Sequence, residues 1–238
     1  MRGKYWKKFL AGVLVILLVL VAFSYLRTMN KTELEFRIRI NRELVLLSAY
    51  GEPPTFAIWV ENSQGDYTNV YVTHRAFNDD WEGKPDVPVA LPFWSYINTS
   101  NKSSGEQEKG IGTDAVSGAT PREDLFIIRL RVSTQTTYQC WIEMNLAGDY
   151  NEFYRENDPV KMISDEFGNG QPALVYQGII EIEPGNKISP GLFGMSIKPC
   201  GTEDPVRPVE GITTAKQVFS QIEVEVVRPK PYLIKPDR

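Results

Sequence analysis

One imidazole and two thiols bound the chemistry open to this 238-residue chain: His74, Cys140 and Cys200. A four-coordinate Cys/His zinc site needs more ligands than these. A Ser–His–Asp arrangement would have to pass through His74, with Ser95 as its candidate nucleophile. The chain lacks the Gly-x-Ser-x-Gly elbow of α/β hydrolases. His74 closes the run Tyr71-Val72-Thr73, so a surface histidine after a strand is the better reading. Asp149, Asn151, Glu152, Glu156, Asn157 and Asp158, followed by Asp165 and Glu166, are oxygen donors of the kind hard cations take. Their spacing is not that of an EF-hand, and a solvated acidic loop is the simpler reading. Gly110-Ile111-Gly112-Thr113-Asp114-Ala115 fits Gly-x-Gly-x-x-Ala. It follows a polar stretch and opens no helix, so a dinucleotide site fails on context.

The sharpest motif is Asp114-Ala115-Val116-Ser117-Gly118-Ala119-Thr120. Gly118 and Ala119 leave a bare approach for an enzyme and a bulky group. Thr120 offers a hydroxyl, and Asp114 an acid that could position a metal or the attacking group. The motif resembles the acceptor motif of covalent flavoproteins outside the cytoplasm, Asp-x-x-Ser/Thr-Gly-Ala-Thr. In those proteins a flavin transferase joins the phosphate of FMN to the threonine hydroxyl. All fixed positions match. The resemblance implies FMN held covalently at Thr120, a flavin transferase as partner, and electron exchange with membrane redox proteins. Trp94 and Tyr96 are then candidate partners for the flavin ring. One departure stands. Acceptor motifs often carry a further Ser or Thr just past the modified threonine, whereas here Pro121 and Arg122 follow, and Pro121 restricts Thr120 to extended geometry. Without the resemblance, Ser117-Gly118 reads as a tight turn before a strand.

These residues must be placed by a β-rich body. Thr32–Ile40 alternates strictly, with Leu34, Phe36, Ile38 and Ile40 on one face and Glu33, Glu35, Arg37 and Arg39 on the other. Leu44–Tyr50 is a second apolar stretch. Thr55–Glu61 and Thr68–Thr73, separated by Asn62-Ser63-Gln64-Gly65-Asp66, read as a β-hairpin. Further strands are expected over Leu125–Ser133, Thr137–Met144, Ala173–Glu183 and Gln217–Val227, with one short helix near Thr213–Phe219. The pattern predicts a mostly β protein, an antiparallel Ig-like β-sandwich. The exception is the long loop 78–124, which is polar, rich in Gly, Pro and Ser, and shows no convincing strand. Loops of that length are commonly functional or disordered. Trp81, Phe93, Trp94 and Tyr96 argue against a plain tether, so this loop is the expected seat of function.

Charge fixes the expected topology. Arg2, Lys4, Lys7 and Lys8 make residues 1–8 carry +4, and the whole chain is −4, so the remainder is −8. Phe9–Leu26 has no charge and as a helix would span about 27 Å, close to a bilayer core. A basic start before it places the amino terminus in the cytoplasm and the body outside. Two readings of the segment stand. An uncleaved single transmembrane anchor suits its length and the interfacial Arg27 and Lys31. A cleaved signal peptide would use Ala22 and Ser24 before Tyr25. In an oxidising compartment Cys140 and Cys200 could form a disulfide; the alternative is two thiols, one of them buried. Nucleic acid is not an expected partner, because the acidic body has no basic patch interleaved with aromatics.

A wider resemblance covers about residues 50 to 185. Pro54–Glu61, Tyr71-Val72-Thr73, Pro88–Trp94, Asp114–Pro121 and Gly170–Tyr176 occur in an order similar to that of bacterial exported proteins of unknown function. It implies a bacterial origin and an exported β-rich domain, and no activity. The expected organisation is a cytoplasmic stub and transmembrane signal anchor over 1–30, an extracytoplasmic β-sandwich over 31–227, and a Pro- and charge-rich tail over 228–238. The expected location is the bacterial cell membrane. Two functions are carried forward: a covalent FMN carrier, and a cofactor-free ligand-binding, protein-binding or envelope-assembly module.

Overall fold

The alternation over 32–40 becomes β1 (Lys31–Ile40), the strand around which one sheet is built. In the computed structural model Leu34, Phe36, Ile38 and Ile40 are buried on one face. The structure describes residues 2–28, 31–74, 76, 90–103, 116–118, 124–134, 137–160, 163–165, 167–197 and 205–229. Glu33, Glu35 and Arg37 occupy the other face. There Arg37 binds Glu223 and Glu225 at 2.8 and 2.6 Å, and Arg131 binds Glu33 at 2.6 Å. Glu35, 1% exposed, is paired by both Arg37 and Arg129. A one-residue slip would turn these charges into the apolar core, away from their partners, and expose Phe36, so the pattern fixes the register.

Most of the expected strands are found. After β1 come helix α2 (Arg42–Leu47), β2 (Thr55–Asn62), β3 (Tyr67–Thr73), helix α3 (Pro92–Ser103) and β4 (Val116–Gly118). Then follow β5 (Leu125–Ser133), β6 (Thr137–Asn145), the short pair β7 (Asn157–Asp158) and β8 (Ile163–Ser164), and β9 (Ala173–Glu181). The described chain ends with β10 (Lys187–Ile188), β11 (Gly191–Ser196), a 3-10 turn (Thr214–Gln217) and β12 (Phe219–Val227). One sheet has the order β10-β12-β1-β5 and the other β11-β9-β6-β2-β3-β4. Pairing is antiparallel throughout both, except that β4 joins β3 in parallel.

One core lies between the sheets. Phe36 and Val224 come from the first, and Phe56, Ile142 and Leu174 from the second. The fold is therefore mostly β, in two largely antiparallel sheets with few helices.

Three local expectations change. The apolar stretch 44–50 opens within a helix. Asn41 caps α2, its side chain accepting from the Leu44 N–H at 3.4 Å, and Glu43 lies in the first turn. The expected short helix near 213–219 is a 3-10 turn. The loop 78–124 is not devoid of regular structure, since it contains α3 and β4.

At the amino end, α1 spans Arg2–Thr28, and its side chains from Val13 to Leu26 are mostly exposed. Among the described residues no helix is long and apolar enough to cross a membrane. The membrane reading of this segment rests on its sequence.

Candidate functional site

The outer face of the six-stranded sheet carries a second apolar cluster, separate from the core. Period 2 puts Phe56, Ile58 and Val60 inward, so Ala57 and Trp59 face out; in β6 the same logic turns Trp141 and Glu143 out. Trp59 and Trp141 are register partners, stacked 6.1 Å apart with planes at 10°. Phe93 of α3 meets both rings edge-on at 5.6 and 5.5 Å. Phe193 of β11 meets Trp141 edge-on at 5.5 Å and is 54% exposed. Val72 and Val175 complete the floor.

α3 lies on this face because of its first turn. Pro92 is the first helical residue, where its fixed φ helps and its missing N–H costs nothing. Leu91 cannot cap, so the next N–H groups need an outside acceptor. Glu143 supplies it. Its Oε1 accepts from the Phe93 N–H at 3.0 Å and its Oε2 from the Trp94 N–H at 2.7 Å. The Ser196 hydroxyl donates to Oε1 as well. Glu143 is completely buried, which pushes its carboxyl up to about 7, while Ser196 and the two backbone donors pull it down.

Of the Asp114–Thr120 motif, the described residues Val116–Gly118 form β4, the edge strand of this sheet. β4 runs parallel to β3, with Val116 opposite Tyr71, Ser117 opposite Val72 and Gly118 opposite Thr73. Ser117 and Gly118 are thus a strand edge, not a turn, and Val72 belongs to the aromatic cluster. Asp114, Ala119 and Thr120 lie outside the described residues. Trp94 is buried, and its indole N–H donates to Asn69 Oδ1 at 3.0 Å. Tyr96 is half-buried on α3, and His74 is exposed just past the end of β3. Three buried polar atoms on β2, β3 and β6 have no hydrogen-bond partner: Trp59 Nε1, Thr73 Oγ1 and Trp141 Nε1. Such groups are costly unless something supplies the missing bond. Both indole rings are buried, with Phe93 of α3 packed against them.

Trp59, Trp141, Glu143 and Ser196 were not among the expected site residues. Their signal was the outward set of strand positions, which for a one-layer sheet face should be polar. An acid inside the apolar run Cys140–Met144 was the strongest hint.

Several oxygens of the acidic loop accept from nearby N–H and hydroxyl groups, while Asp149 Oδ2 is buried without a partner. Asn151 Oδ1 accepts from Phe153 and Tyr154 N–H groups, and Asp165 Oδ2 from the Gly170 N–H at 2.8 Å. Asp149 Oδ1 accepts from the Thr214 hydroxyl at 2.5 Å, and Gln171 bridges to Thr213 and Thr214. Among the described residues no three His, Cys, Asp or Glu are grouped to hold a metal. The network ties this loop to the 3-10 turn. It depends on Gly170, which has φ +72° and would place a Cβ 2.6 Å from the Asp149 nitrogen. Gly170→Ala is expected to destabilise by about 2–4 kcal/mol, read by chemical denaturation.

Cys140 is fully buried in the core, and burial pushes its thiol up to about 12. Cys200, and with it the Cys140–Cys200 pairing, lies outside the described residues.

Comparison with family models, curated proteins and solved structures finds no match to this chain.

Proposed function

We propose that this chain is a membrane-anchored extracytoplasmic carrier of covalent FMN, with an Ig-like β-sandwich body and Thr120 as the flavin acceptor. The observation that carries the reading is a register. The strand that leads into Thr120 pairs with β3 beside Val72, a member of the aromatic cluster. The flavin would supply one- and two-electron chemistry. The chain's part is to tether it and to offer Trp59 and Trp141 as ring neighbours with unused donors. These two indoles replace Trp94 as the favoured donors, because Trp94 already bonds Asn69. A covalent tether keeps a soluble cofactor from diffusing away outside the cell. The basic stub, the uncharged run and the acidic body support an anchor in the bacterial membrane with a cytoplasmic amino terminus.

The test is co-expression of the full chain with a flavin transferase. The denatured chain should fluoresce in a gel and gain the mass of esterified FMN, and Thr120→Ala should abolish both. An unmodified wild-type chain would refute the carrier.

A second reading keeps the same face and drops the flavin. Phe193, 54% exposed, lies against Trp141, and Ile179, 64% exposed, is on the same outer face of β9. An uncovered apolar margin of this kind favours a ligand-binding or envelope-assembly module. In that case deleting 78–124 removes partner capture while flavin attachment is never seen.

A further inference from the structure

We infer that the β-sandwich presents its Thr120 end away from the membrane, so that the protein partner of that end comes from the aqueous side and not from within the bilayer. This rests on the carrier reading for the anchor and for Thr120, and adds to it the side from which the partner arrives.

Strand directions assign the two ends of the body. α1 ends at Thr28 and β1 begins at Lys31, so the anchor enters at the start of β1. There Lys31 pairs with Ser133 at the end of β5, and Val227 at the end of β12 lies opposite Glu33. The Ser133 hydroxyl is 3.0 Å from the Tyr138 hydroxyl, and Tyr138 pairs with Asn62, the last residue of β2. The anchor and the hairpin turn 62–66 therefore share one end.

The motif belongs to the other end. β3 returns antiparallel to β2 and closes at Thr73, opposite Gly118. Tyr71, opposite Val116, has its ring 4.7 Å from that of Phe126, and Phe126 pairs with Ile38 near the end of β1. Past Thr120, the Asp124 carbonyl accepts from the Ile40 N–H at 2.7 Å. Thr120 is two residues beyond Gly118, so the covalent chain holds it within about 7 Å of that strand end. Between the two ends runs β1, ten residues and about 33 Å long.

A body lying flat would bring both ends to the lipid, but it needs a broad apolar face. The outer face of the β1 sheet is laced with ion pairs from Arg37, Arg131 and Lys187. On the other sheet Trp59 and Trp141 are already covered by Phe93. An upright body is the arrangement these faces favour.

The full chain in phosphatidylcholine vesicles carrying a headgroup energy acceptor tests this. Cys140 is buried, so in a Cys200→Ser background Gln64→Cys and Leu47→Cys, both at exposed positions, take a donor dye at the near and far ends. With a short-range dye pair, transfer should be strong from 64 and at least about fivefold weaker from 47, given an end-to-end span of about 33 Å. In parallel, a water-soluble flavin transferase should load the unsubstituted chain on vesicles, counting outward-facing bodies, as fully as in detergent. Equal transfer from the two positions, or stronger transfer from 47, would overturn the inference. So would loading in detergent that is lost on vesicles, and this arm decides if a labelled variant does not fold. Two other outcomes sink the carrier reading, and the inference with it. No loading in either medium removes the flavin, and a chain that washes off the vesicles removes the anchor.

Discussion

Phe56→Ala is expected to remove about 3–5 kcal/mol of stability, measured as a lower urea midpoint of the full chain in detergent. Phe56 is completely buried, and it is the ring at which the sheets meet. It comes from β2 in the larger sheet. Its neighbours are Tyr71 of the same sheet at 5.0 Å, Phe126 of β5 at 5.3 Å and Phe219 of β12 at 5.5 Å. The last two approach edge-on, the geometry aromatic pairs prefer. Truncation leaves a void walled by rings that belong to two sheets. Neither sheet can collapse into it without dragging its hydrogen-bonded ladder, so the cavity stays open. Leu47→Ala is the control. Leu47 is 77% exposed on α2, and its loss should fall within about 0.5 kcal/mol.

The same residue shows how far a sequence can be read. Thr55–Glu61 is recognisable as a strand because β-branched and aromatic residues bounded by a turn cluster have few other homes. β1 is recognisable because its two faces differ completely in polarity, and β5 because polar residues bound its apolar run. None of this says that Phe56 touches Phe126 and Phe219, which are far along the chain. Sheet order is long-range information, and so is the parallel pairing that turns Ser117-Gly118 from an apparent turn into an edge strand.

α3 was hidden for a related reason. Its apolar face is short, only Phe93, Trp94 and Ile97 in a polar stretch, its cap is a carboxylate 50 positions away, and its burial is supplied by the sheet. Tertiary contacts make such a helix, so local pattern misses it. α2 was legible in principle, since Asn41 followed by Glu43 is an amino-terminal signal that the apolar run after it obscured. The candidate site divides the same way. The motif and Trp94 stood out by type, whereas Trp59, Trp141 and Glu143 become notable only once period 2 assigns them to one outer face.

Between pH 5 and 8 the wild-type chain should lose roughly 2–3 kcal/mol of stability that Glu143→Gln does not lose. The sign follows from where the proton sits. Burial raises the folded carboxyl to about 7, above its value in the unfolded chain. Folded molecules then bind more protons than unfolded ones over this range, and raising the pH removes that advantage. The loss should stop once the folded group ionises. Other acids shift the raw curves and are common to both proteins. Asp149 is also raised, chiefly by burial, and acts in the same direction. Glu225 is lowered by Lys187 and then Arg37, so its contribution is present above its unfolded value and disappears as acid protonates it. The difference between wild type and Glu143→Gln cancels both. At pH 5 the two should be close, because a protonated acid and an amide fill the same space, each with an oxygen for the Phe93 or Trp94 N–H. At pH 8 the glutamine form should be the more stable, because it seals α3 without burying a charge. An ordinary structural cap would give the reverse, with the ionised acid stronger than the amide at every pH above 5. The way the two stability curves part above pH 5 therefore separates a buried acid that keeps its proton from an ionised cap.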